Sequence, residues 1–217
     1  DHYKDFAPVS MIGTTPNVLV VNPSVPVKSV SEFIAYTKAN NGKIIIASPG
    51  TGSSPHMTME LFRLTTGINI VHVPYKGGAP ALVDLLGGHI QSMFDNMSTQ
   101  LAVMKTGRTR ALAVTSPKRN PALPDVPSVA ELGYKDFSVV SYYGVMAPAG
   151  LPAPVLARLN ADINKILNRP EARSALLAQG LLAQLLKPLG DGRRGRPRGP
   201  PLRFQRAGGV LLSERVG

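Results

Sequence analysis

The stretch HVPYKGGAPALVDLLGGHIQSMFDN, residues 72–96, decides the fold. Together with the residues just before it, this stretch predicts a short apolar strand at 68–73 and a Gly/Pro-rich turn at 74–80. A helix is predicted at 81–86, ended by two glycines, and a second strand at 90–94. In open α/β sheets, ligands bind outside the carboxyl ends of the strands. The stretch therefore predicts an α/β sheet with a ligand site at the turn.

A second unit of the same kind lies directly upstream. Residues 43–47, KIIIA, are typical of a buried strand, residues 48–54, SPGTGSS, of a loop of small residues, and residues 55–64 of a helix. Two such loops at the same edge of one sheet predict a shared binding crevice.

The length and composition indicate a globular protein with one large domain or two small ones. The chain has 217 residues, of which 43% are apolar, with 21 glycines and 20 prolines. No apolar run approaches the roughly 20 residues that a membrane-spanning helix needs, and the first residues do not have the pattern from which we would expect a secretory leader. The absence of cysteine excludes disulfides and thiolate metal sites, and it is compatible with an oxidising compartment.

The net charge of +11 is concentrated in the tail. Residues 187–217 carry eight Lys and Arg against two acids, whereas residues 1–186 carry sixteen against eleven. Such a basic balance can indicate a nucleic-acid partner, but this Arg/Gly/Pro tail cannot bury a core. It can be an arginine-rich arm, an ordinary extension or the product of out-of-frame translation, which we favour. We expect the tail to be disordered and no nucleic acid to bind.

The rest of the chain alternates strands with helices. Strands are predicted at 7–12 and 17–21, with a turn at 13–16 between them. Two S-x-x-E capping boxes, at 29–32 and 128–131, mark helix starts because serine and glutamate satisfy N–H groups there. This alternation predicts an α/β fold with mostly parallel sheets.

The 48–54 loop has the composition of an anion-binding cradle. Its glycines can turn backbone N–H groups toward a ligand, its hydroxyls add donors, and the following helix presents its positive end. The candidate residues are Ser48, Gly50, Thr51, Gly52 and Ser53. The loop lacks the Lys-Ser/Thr ending of a nucleotide P-loop. An ordinary strand-to-helix turn is the alternative interpretation.

Further candidates follow the neighbouring strands. Tyr75, Lys76 and Gly77 place a phenol, an ammonium group and free N–H groups at the predicted crevice, with a solvated turn as the alternative. Asp95 ends a strand on the same predicted side. Its carboxylate can accept from a ligand amine or hydroxyl, or it can cap the next helix.

The remaining polar residues are weaker candidates. Thr14 and Thr15 can donate to a ligand, although a role in a turn fits the pattern better. His56 and Glu60 share a helix face without a third ligand, which does not predict a zinc site, and His72 is interpreted as a packed residue. No G-x-S-x-G elbow or Ser/His/Asp order predicts a nucleophile. We therefore expect no metal, no cofactor and no catalytic residue.

Five segments, taken in order, carry a family resemblance. They are DFAPVSMIGTTPNVLVVNPSVPVKS (5–29), ASPGTGSSPHMTMELF (47–62), VHVPYKGGAPALVDLLGGHIQSMFDN (71–96), ALAVTSPKRNPALPDVPSVAELGY (111–134) and YYGVMAPAGLPAPVLARLN (142–160). Together they resemble the periplasmic solute-binding receptors of tripartite tricarboxylate transporters, often called Bug proteins. The resemblance extends over most of the chain and ends before the basic tail.

The resemblance implies a type II periplasmic-binding-protein fold, in which two α/β lobes close on a small carboxylated solute. It makes residues 17–26 and 139–147 the crossovers, residues 23–137 one nearly whole lobe, and residues 1–22 with 138–186 the remnant of lobe one. It also implies a periplasmic location and no enzymatic activity. The expected ligand is a dicarboxylate, a tricarboxylate or an amino acid, and the expected partners are membrane transporter subunits.

Two departures from the family pattern add an expectation. Members begin with a signal peptide and a first strand whose Pro/Gly-rich loop grips the ligand carboxylate, and they end lobe one with regular structure. We therefore expect lobe one to be incomplete and carboxylate binding to be weak. The resemblance puts the 48–54 loop and the 75–78 turn on the ligand side, with Asp95 and the 14–15 turn as weaker members. The alternative function is an α/β enzyme that acts on an anionic substrate through the Ser48–Ser54 loop.

Overall fold

The computed structural model describes residues 4–183, 203–207 and 210–214. The strands are β1 (Phe6–Val21), β2 (Ile45–Ser48), β3 (Val71–Pro74), β4 (Ser92–Asn96), β5 (Arg110–Val114), β6 (Val140–Pro148), β7 (Leu182–Ala183), β8 (Arg203–Ala207) and β9 (Val210–Glu214). The α-helices are α1 (Val30–Ala39), α2 (Ser54–Thr66), α3 (Gly78–Gly87), α4 (Met97–Lys105), α5 (Ala153–Leu167) and α6 (Pro170–Ala178), and a 3-10 helix spans Ala130–Leu132.

The sixteen-residue strand β1 joins the two parts of the sheet. Its first part, residues 6–16, pairs with β6, and its second part, residues 17–21, lies between β4 and β5. The predicted turn at 13–16 is therefore wrong. Gly13 is needed for a different reason, because a Cβ there would lie 2.7 Å from the carbonyl oxygen of Leu182 in β7.

The main path of the sheet runs β3-β2-β4-β1-β5. Strand β2 is parallel to β3 and β4, whereas β1 is antiparallel to β4, β5, β6 and β7. The α/β class is confirmed, but the sheet is mixed rather than mostly parallel. A strand that joins a sheet in parallel needs a crossover connection, usually a helix. The second part of β1 is a direct continuation of its first part, so it enters the sheet without such a crossover and lies antiparallel to β4.

Alternate side chains of β1 enter two cores, one on each face of the sheet. Leu19 and Val21 belong to one core, and Val18 and Val20 to the other. The first core is built around buried aromatic rings of α1, α2, β4 and the segment before β6, namely Phe33, Phe62, Phe94 and Phe137. The second contains residues of α3, β4 and α4, among them Leu85, Met93 and Met97. Helices therefore cover both faces of the part of the sheet that ends at the predicted loops.

Of the two predicted capping boxes, the second forms in full, whereas in the first the Glu32 carboxylate accepts from the Lys28 N–H (2.7 Å) in place of the Ser29 N–H. Ser29 Oγ accepts from the Glu32 N–H (3.2 Å) at the start of α1. The second box is reciprocal, because Ser128 Oγ accepts from the Glu131 N–H (3.1 Å) while the Glu131 carboxylate accepts from the Ser128 N–H (3.1 Å). It starts only a 3-10 helix, which ends at Gly133 with a φ of 104°.

Apolar side chains remain uncovered around β6 and α5. Tyr142 is 74% exposed and Met146 is 53% exposed on β6, and α5 exposes Val155, Leu159 and Ile166. Burying one such side chain stabilises a protein by roughly 1.5–3 kcal/mol. These exposed side chains lie within residues 138–186, the region that was expected to be an incomplete lobe.

Of the tail at 187–217, the structure describes only β8 and β9, which pair antiparallel with each other. The rest of the segment for which disorder was expected lies outside the described residues. Within the described part of the chain, no helix is both long and apolar enough to cross a membrane.

Phe62 tests the first core. Its ring lies 5.5 Å from that of Phe94 and 6.1 Å from that of Phe137, and the side chain is fully buried. We expect Phe62→Ala to lower the free energy of unfolding by about 3–5 kcal/mol, measured by urea denaturation. Leu64→Ala is the matched control on the same helix, since Leu64 is 49% exposed. Equal losses in the two variants would contradict this description of the core.

Candidate functional site

Three helices begin at one edge of the sheet. Strands β2, β3 and β4 are parallel, so their carboxyl ends share that edge. Helix α2 begins after Ser53, α3 after Gly77 and α4 after Asn96. Helix N-termini carry partial positive charge and N–H groups without intrahelical partners. Their convergence favours an anion at this edge.

The two loops predicted from the sequence adjoin each other there. The Tyr75 N–H donates to the Ser48 carbonyl oxygen (3.0 Å), and the Gly77 N–H donates to the Pro49 carbonyl oxygen (2.8 Å). A Cβ on Gly50 would lie 3.3 Å from the Tyr75 carbonyl oxygen. The loops therefore form one surface whose backbone groups hold each other in place.

The serine hydroxyls of the first loop are bonded within the protein. Ser48 is fully buried, and its Oγ lies 2.8 Å from His72 Nε2. Ser53 caps α2, because its Oγ donates to the Gly50 carbonyl oxygen (2.7 Å) and accepts from the His56 N–H (3.4 Å). These two hydroxyls shape the loop.

The exposed candidates lie at the tips of the loops. Thr51, Gly52 and Lys76 are exposed. Tyr75 is half-buried, and its hydroxyl donates to the Asp84 carboxylate on α3 (2.6 Å). That hydrogen bond, followed by burial and the Asp84 charge, raises the pKa of Tyr75 to about 12. The phenol is therefore protonated at neutral pH and held against α3.

Asp95 lies beneath the starts of α3 and α4. Its carboxylate accepts from the Thr99 hydroxyl (2.6 Å), the Gln100 amide (2.8 Å) and the Asn96 N–H (2.7 Å). A Cβ on Gly78, the first residue of α3, would lie 2.9 Å from this carboxylate. Burial raises the pKa of Asp95, and the hydrogen bonds from Thr99 and Gln100 oppose that rise. Asp95 is only 1% exposed, so its carboxylate contacts the first residues of α3 and α4 from inside the protein.

Thr14 and Thr15 lie inside β1 and not in a turn. Thr15 is fully buried, and its hydroxyl donates to the Gly180 carbonyl oxygen (3.1 Å). Thr14 pairs with Tyr142 of β6 and with Leu182 of β7. The structure therefore places both threonines in the strand that joins the two parts of the sheet, outside the two loops.

Local sequence patterns did not reveal a polar cluster where β1 and β6 meet the starts of α2 and α4. We call it the crossover cluster, and it consists of Asn17, Ser54, Thr58, Asn96 and Ser141. The Asn17 amide donates to Ser54 Oγ (3.0 Å) and Thr58 Oγ1 (2.6 Å). Ser141 Oγ lies 2.9 Å from Ser54 Oγ and donates to Asn96 Oδ1 (2.8 Å). Asn17 and Ser141 are 124 positions apart, so no local spacing could connect them.

His56 and His72 form a pair that the sequence did not predict. Their rings stack with centroids 4.3 Å apart at 18°. Burial lowers the pKa of His72, and His56 lowers it further, while Glu60 acts in the opposite direction. The distance between Ser48 Oγ and His72 Nε2 is one that a nucleophile and its general base also have. However, the Ser48 hydroxyl is buried and is inaccessible to a substrate. Within the described residues, no three potential metal ligands cluster.

The arrangement defines a class of protein. A mixed α/β sheet, two adjoining loops at its ligand-side edge and long strands that lead into a second part describe a solute-binding protein of the periplasmic type. Solved structures of such proteins match this chain along most of its length.

The pattern of the tripartite tricarboxylate transporter family receptor, TctC, matches residues 1–184. The chain belongs to this family of periplasmic transport receptors. Because its members are solute-binding receptors and not enzymes, the expectation of a non-enzymatic protein is confirmed.

Individual relatives agree with this assignment. The chain is similar to Protein BugT of Bordetella pertussis, with 41% identity over 185 residues that cover 85% of this chain and 57% of BugT. It is similar to R. palustris Rpa4515 with adipate, at 35% identity and a TM-score of 0.82, covering 84% of this chain and 61% of that one. It is also similar to MatC (Rpa3494) from Rhodopseudomonas palustris with bound malate, at 30% identity and a TM-score of 0.76, covering 83% and 61%. The chain spans about half the length of the curated relatives it matches.

Alanine substitutions of the first and last residues of α3, Gly78 and Gly87, test the packing of Asp95 against the start of this helix. We expect Gly78→Ala to lower the free energy of unfolding by about 1–3 kcal/mol, because its methyl group would displace a carboxylate held by three hydrogen bonds. Gly87→Ala is the control, since its methyl group would meet only the ring of the exposed His89, at 3.0 Å. We expect that change to cost nothing or to stabilise α3 by up to about 1 kcal/mol. Thermal denaturation of both variants measures the difference, and a harmless Gly78→Ala would contradict the contact.

Asp95→Asn tests the electrostatics of the same carboxyl. Because burial raises the pKa of Asp95 in the folded protein, its ionisation opposes folding, and its contribution to stability is lost as the pH rises through that pKa. The free energy of unfolding of the native protein, relative to the variant, should therefore fall as the pH rises from 4 toward neutrality. Urea denaturation across this range measures that difference. A difference that grows with pH would show that the hydrogen bonds outweigh burial.

Proposed function

We propose that this chain is the ligand-binding part of a periplasmic receptor that captures a small organic carboxylate. The observation that carries the proposal is the convergence of α2, α3 and α4, by their N-termini, on the edge where β2, β3 and β4 end. The partial positive charge of helix N-termini at such an edge stabilises an anion without requiring a charged side chain.

The relatives support a dicarboxylate as the ligand. Rpa4515 was solved with adipate and MatC with bound malate, and both compounds carry two carboxylates. The chain is similar to each over more than four-fifths of its length. A dicarboxylate is therefore our first choice, ahead of a tricarboxylate or an amino acid.

Open space beside the two loops supports the position of the ligand. A Cβ added to Gly52 or Gly77 would meet no atom within 4 Å. The exposed Thr51 hydroxyl and Lys76 ammonium group lie on the same two loops. We assign the ligand to this space, where a hydroxyl donor, a cation and approachable backbone surround it.

The other loop residues of the proposed site act by holding its shape. Ser48 and Ser53 hold the first loop by hydrogen bonds within the protein, and Gly50 lets it approach the second loop. Tyr75 is bonded to α3, and Asp95 lies beneath two helix starts. A site whose donors are fixed before binding loses less entropy when the ligand arrives.

The strands β1 and β6 support a two-lobed organisation. We propose that residues 23–137, together with residues 17–21 of β1, which lie between β4 and β5, form one lobe, and that the first part of β1 with residues 138–183 forms part of the other. Thr14 and Thr15 then belong to a crossover strand and not to the ligand contacts. Closure of such lobes traps the solute, and the receptor would deliver it to membrane transporter subunits.

Calorimetry with adipate and adipamide tests the proposal. The two compounds have the same chain length, but only adipate carries charge, so we expect heat of binding from adipate alone. We expect weak affinity, with a Kd on the order of 1 mM, because the chain spans about half the length of its curated relatives. Equal binding of both compounds, or no binding of any carboxylate in a panel that includes malate, would refute it.

Lys76→Gln tests the assigned position of the ligand. Loss of the exposed ammonium group should weaken adipate binding by about two- to fivefold, with less effect at high salt. Lys105→Gln is the matched control, because Lys105 is an exposed lysine in the last turn of α4. If both variants weaken binding equally, the ligand does not lie at the 75–78 turn.

A further inference from the structure

Two histidines hold the Ser48–Ser54 loop at both ends. At its start, Ser48 Oγ lies 2.8 Å from His72 Nε2. Near its end, the Gly52 N–H donates to His56 Nδ1 (3.0 Å). The two rings stack on each other, with centroids 4.3 Å apart. The loop is therefore held by one continuous unit that joins β2, β3 and α2.

The contact at Gly52 requires a neutral imidazole. A backbone N–H can only donate, so Nδ1 of His56 must carry a lone pair. In the imidazolium ion both ring nitrogens carry protons, and this hydrogen bond is lost. The contact at Ser48 is less restrictive, because a hydroxyl can donate to His72 or accept from it.

The surroundings of His72 oppose its protonation. His56, which stacks on it, is the third residue of α2 and lies at the helix N-terminus, which carries partial positive charge. Two imidazolium rings stacked at this distance would repel each other. Burial, followed by the neighbouring His56, lowers the pKa of His72.

One charged group acts in the opposite direction. Glu60, on α2, favours the imidazolium form of His72, but its carboxylate also accepts from Arg63 at 2.9 Å. Strand β2, beside β3, contributes only uncharged residues, with Ser48 as its polar contact. On β3 itself, His72 is the titratable residue. For His72, burial is the largest of these effects, and its pKa lies below the ordinary value.

We propose that His56 and His72 are positioning residues of the anion-binding loop, and that acidification releases the loop and weakens capture of the carboxylate. They act through Gly52 and Ser48 and make no contact with the ligand. The binding part of this inference rests on the proposed function, whereas the effect on the loop does not.

The direction of the pH effect follows from linkage. A base whose pKa is lowered on folding stabilises the folded state above its ordinary value, which is 6.5 for histidine. That stabilisation is lost as the pH falls below 6.5, since the unfolded chain then binds more protons. The contribution of His72 to holding the loop is therefore expected to fall on the acid side of neutrality, and protonation of His56 removes the acceptor of the Gly52 N–H.

The first experiment needs no ligand. The chemical shift and exchange protection of the Gly52 amide proton are followed by NMR on the whole 217-residue chain between pH 8 and pH 5.5. We expect protection, corrected for the intrinsic rate, to fall about fivefold on acidification. His56→Ala should abolish the hydrogen-bonded shift at every pH. His56→Asn should keep it at every pH, because its amide oxygen can replace Nδ1 and does not titrate.

His89→Gln is the control for general titration effects. His89 is exposed on the turn after α3 and has no role in the loop, so its loss should leave the Gly52 profile unchanged. His72→Gln should preserve the contact with Ser48 while removing one titratable ring from the stack. The proposal is overturned if the Gly52 amide shift and exchange protection change neither with pH nor in His56→Ala. It is also overturned if His89→Gln abolishes their dependence on pH.

The second experiment measures adipate affinity at pH 6 and pH 8. The native chain should lose several-fold more affinity than His56→Asn on going to pH 6, and ionisation of adipate itself cancels in this comparison. Equal losses in the two proteins would overturn the link to capture. If adipate binds neither protein while Gly52 still responds as expected, the loop-holding role is supported and the proposed function alone fails.

Discussion

The continuity of the sixteen-residue strand β1 is the constraint on which the other elements depend. The strand exchanges β6 for β4 and β5 as partners between Pro16 and Asn17, so its two parts belong to different regions of one sheet. The Asn17 N–H and carbonyl oxygen both bond to the Thr115 hydroxyl, and its side chain reaches α2. The residue at which β1 changes partners, Asn17, is therefore also bonded to the start of α2, at the edge where the two loops lie.

The site obtains its shape from bonds within the protein. Hydroxyls that look like ligand donors in the sequence, those of Ser48 and Ser53, are used to hold the loop. The buried Asp95 side chain holds the starts of α3 and α4 in place through its contacts with Gly78 and Thr99. In the site that we propose, the groups left to contact an anion are the exposed ones, Thr51 and Lys76, and the nearby backbone. Hydrogen bonds within the protein fix the loop before a ligand binds, so binding costs less conformational entropy.

Most of the fold could be predicted from the sequence because it depends on short-range pattern. The strand–loop–helix–strand units, the capping boxes and the position of the two loops all follow from residues close together in the chain. The turn expected at 13–16 was wrong because Gly13 and Pro16 suggest a turn locally, whereas pairing with β6 keeps the strand extended. The mixed direction of the sheet was missed for the same reason, since it depends on this distant pairing.

The candidate site shows the same limit. The α/β class, the two loops and the helices that begin after them could be predicted from the residues alone, because glycine, proline and hydrophobic spacing act locally. Which polar groups are exposed and which are hydrogen-bonded inside depends on the folded arrangement. It stacked His56 on His72 and joined Asn17 to Ser141, pairs that lie on separate elements. Such contacts arise when a sheet brings distant strands together, and no local pattern records them.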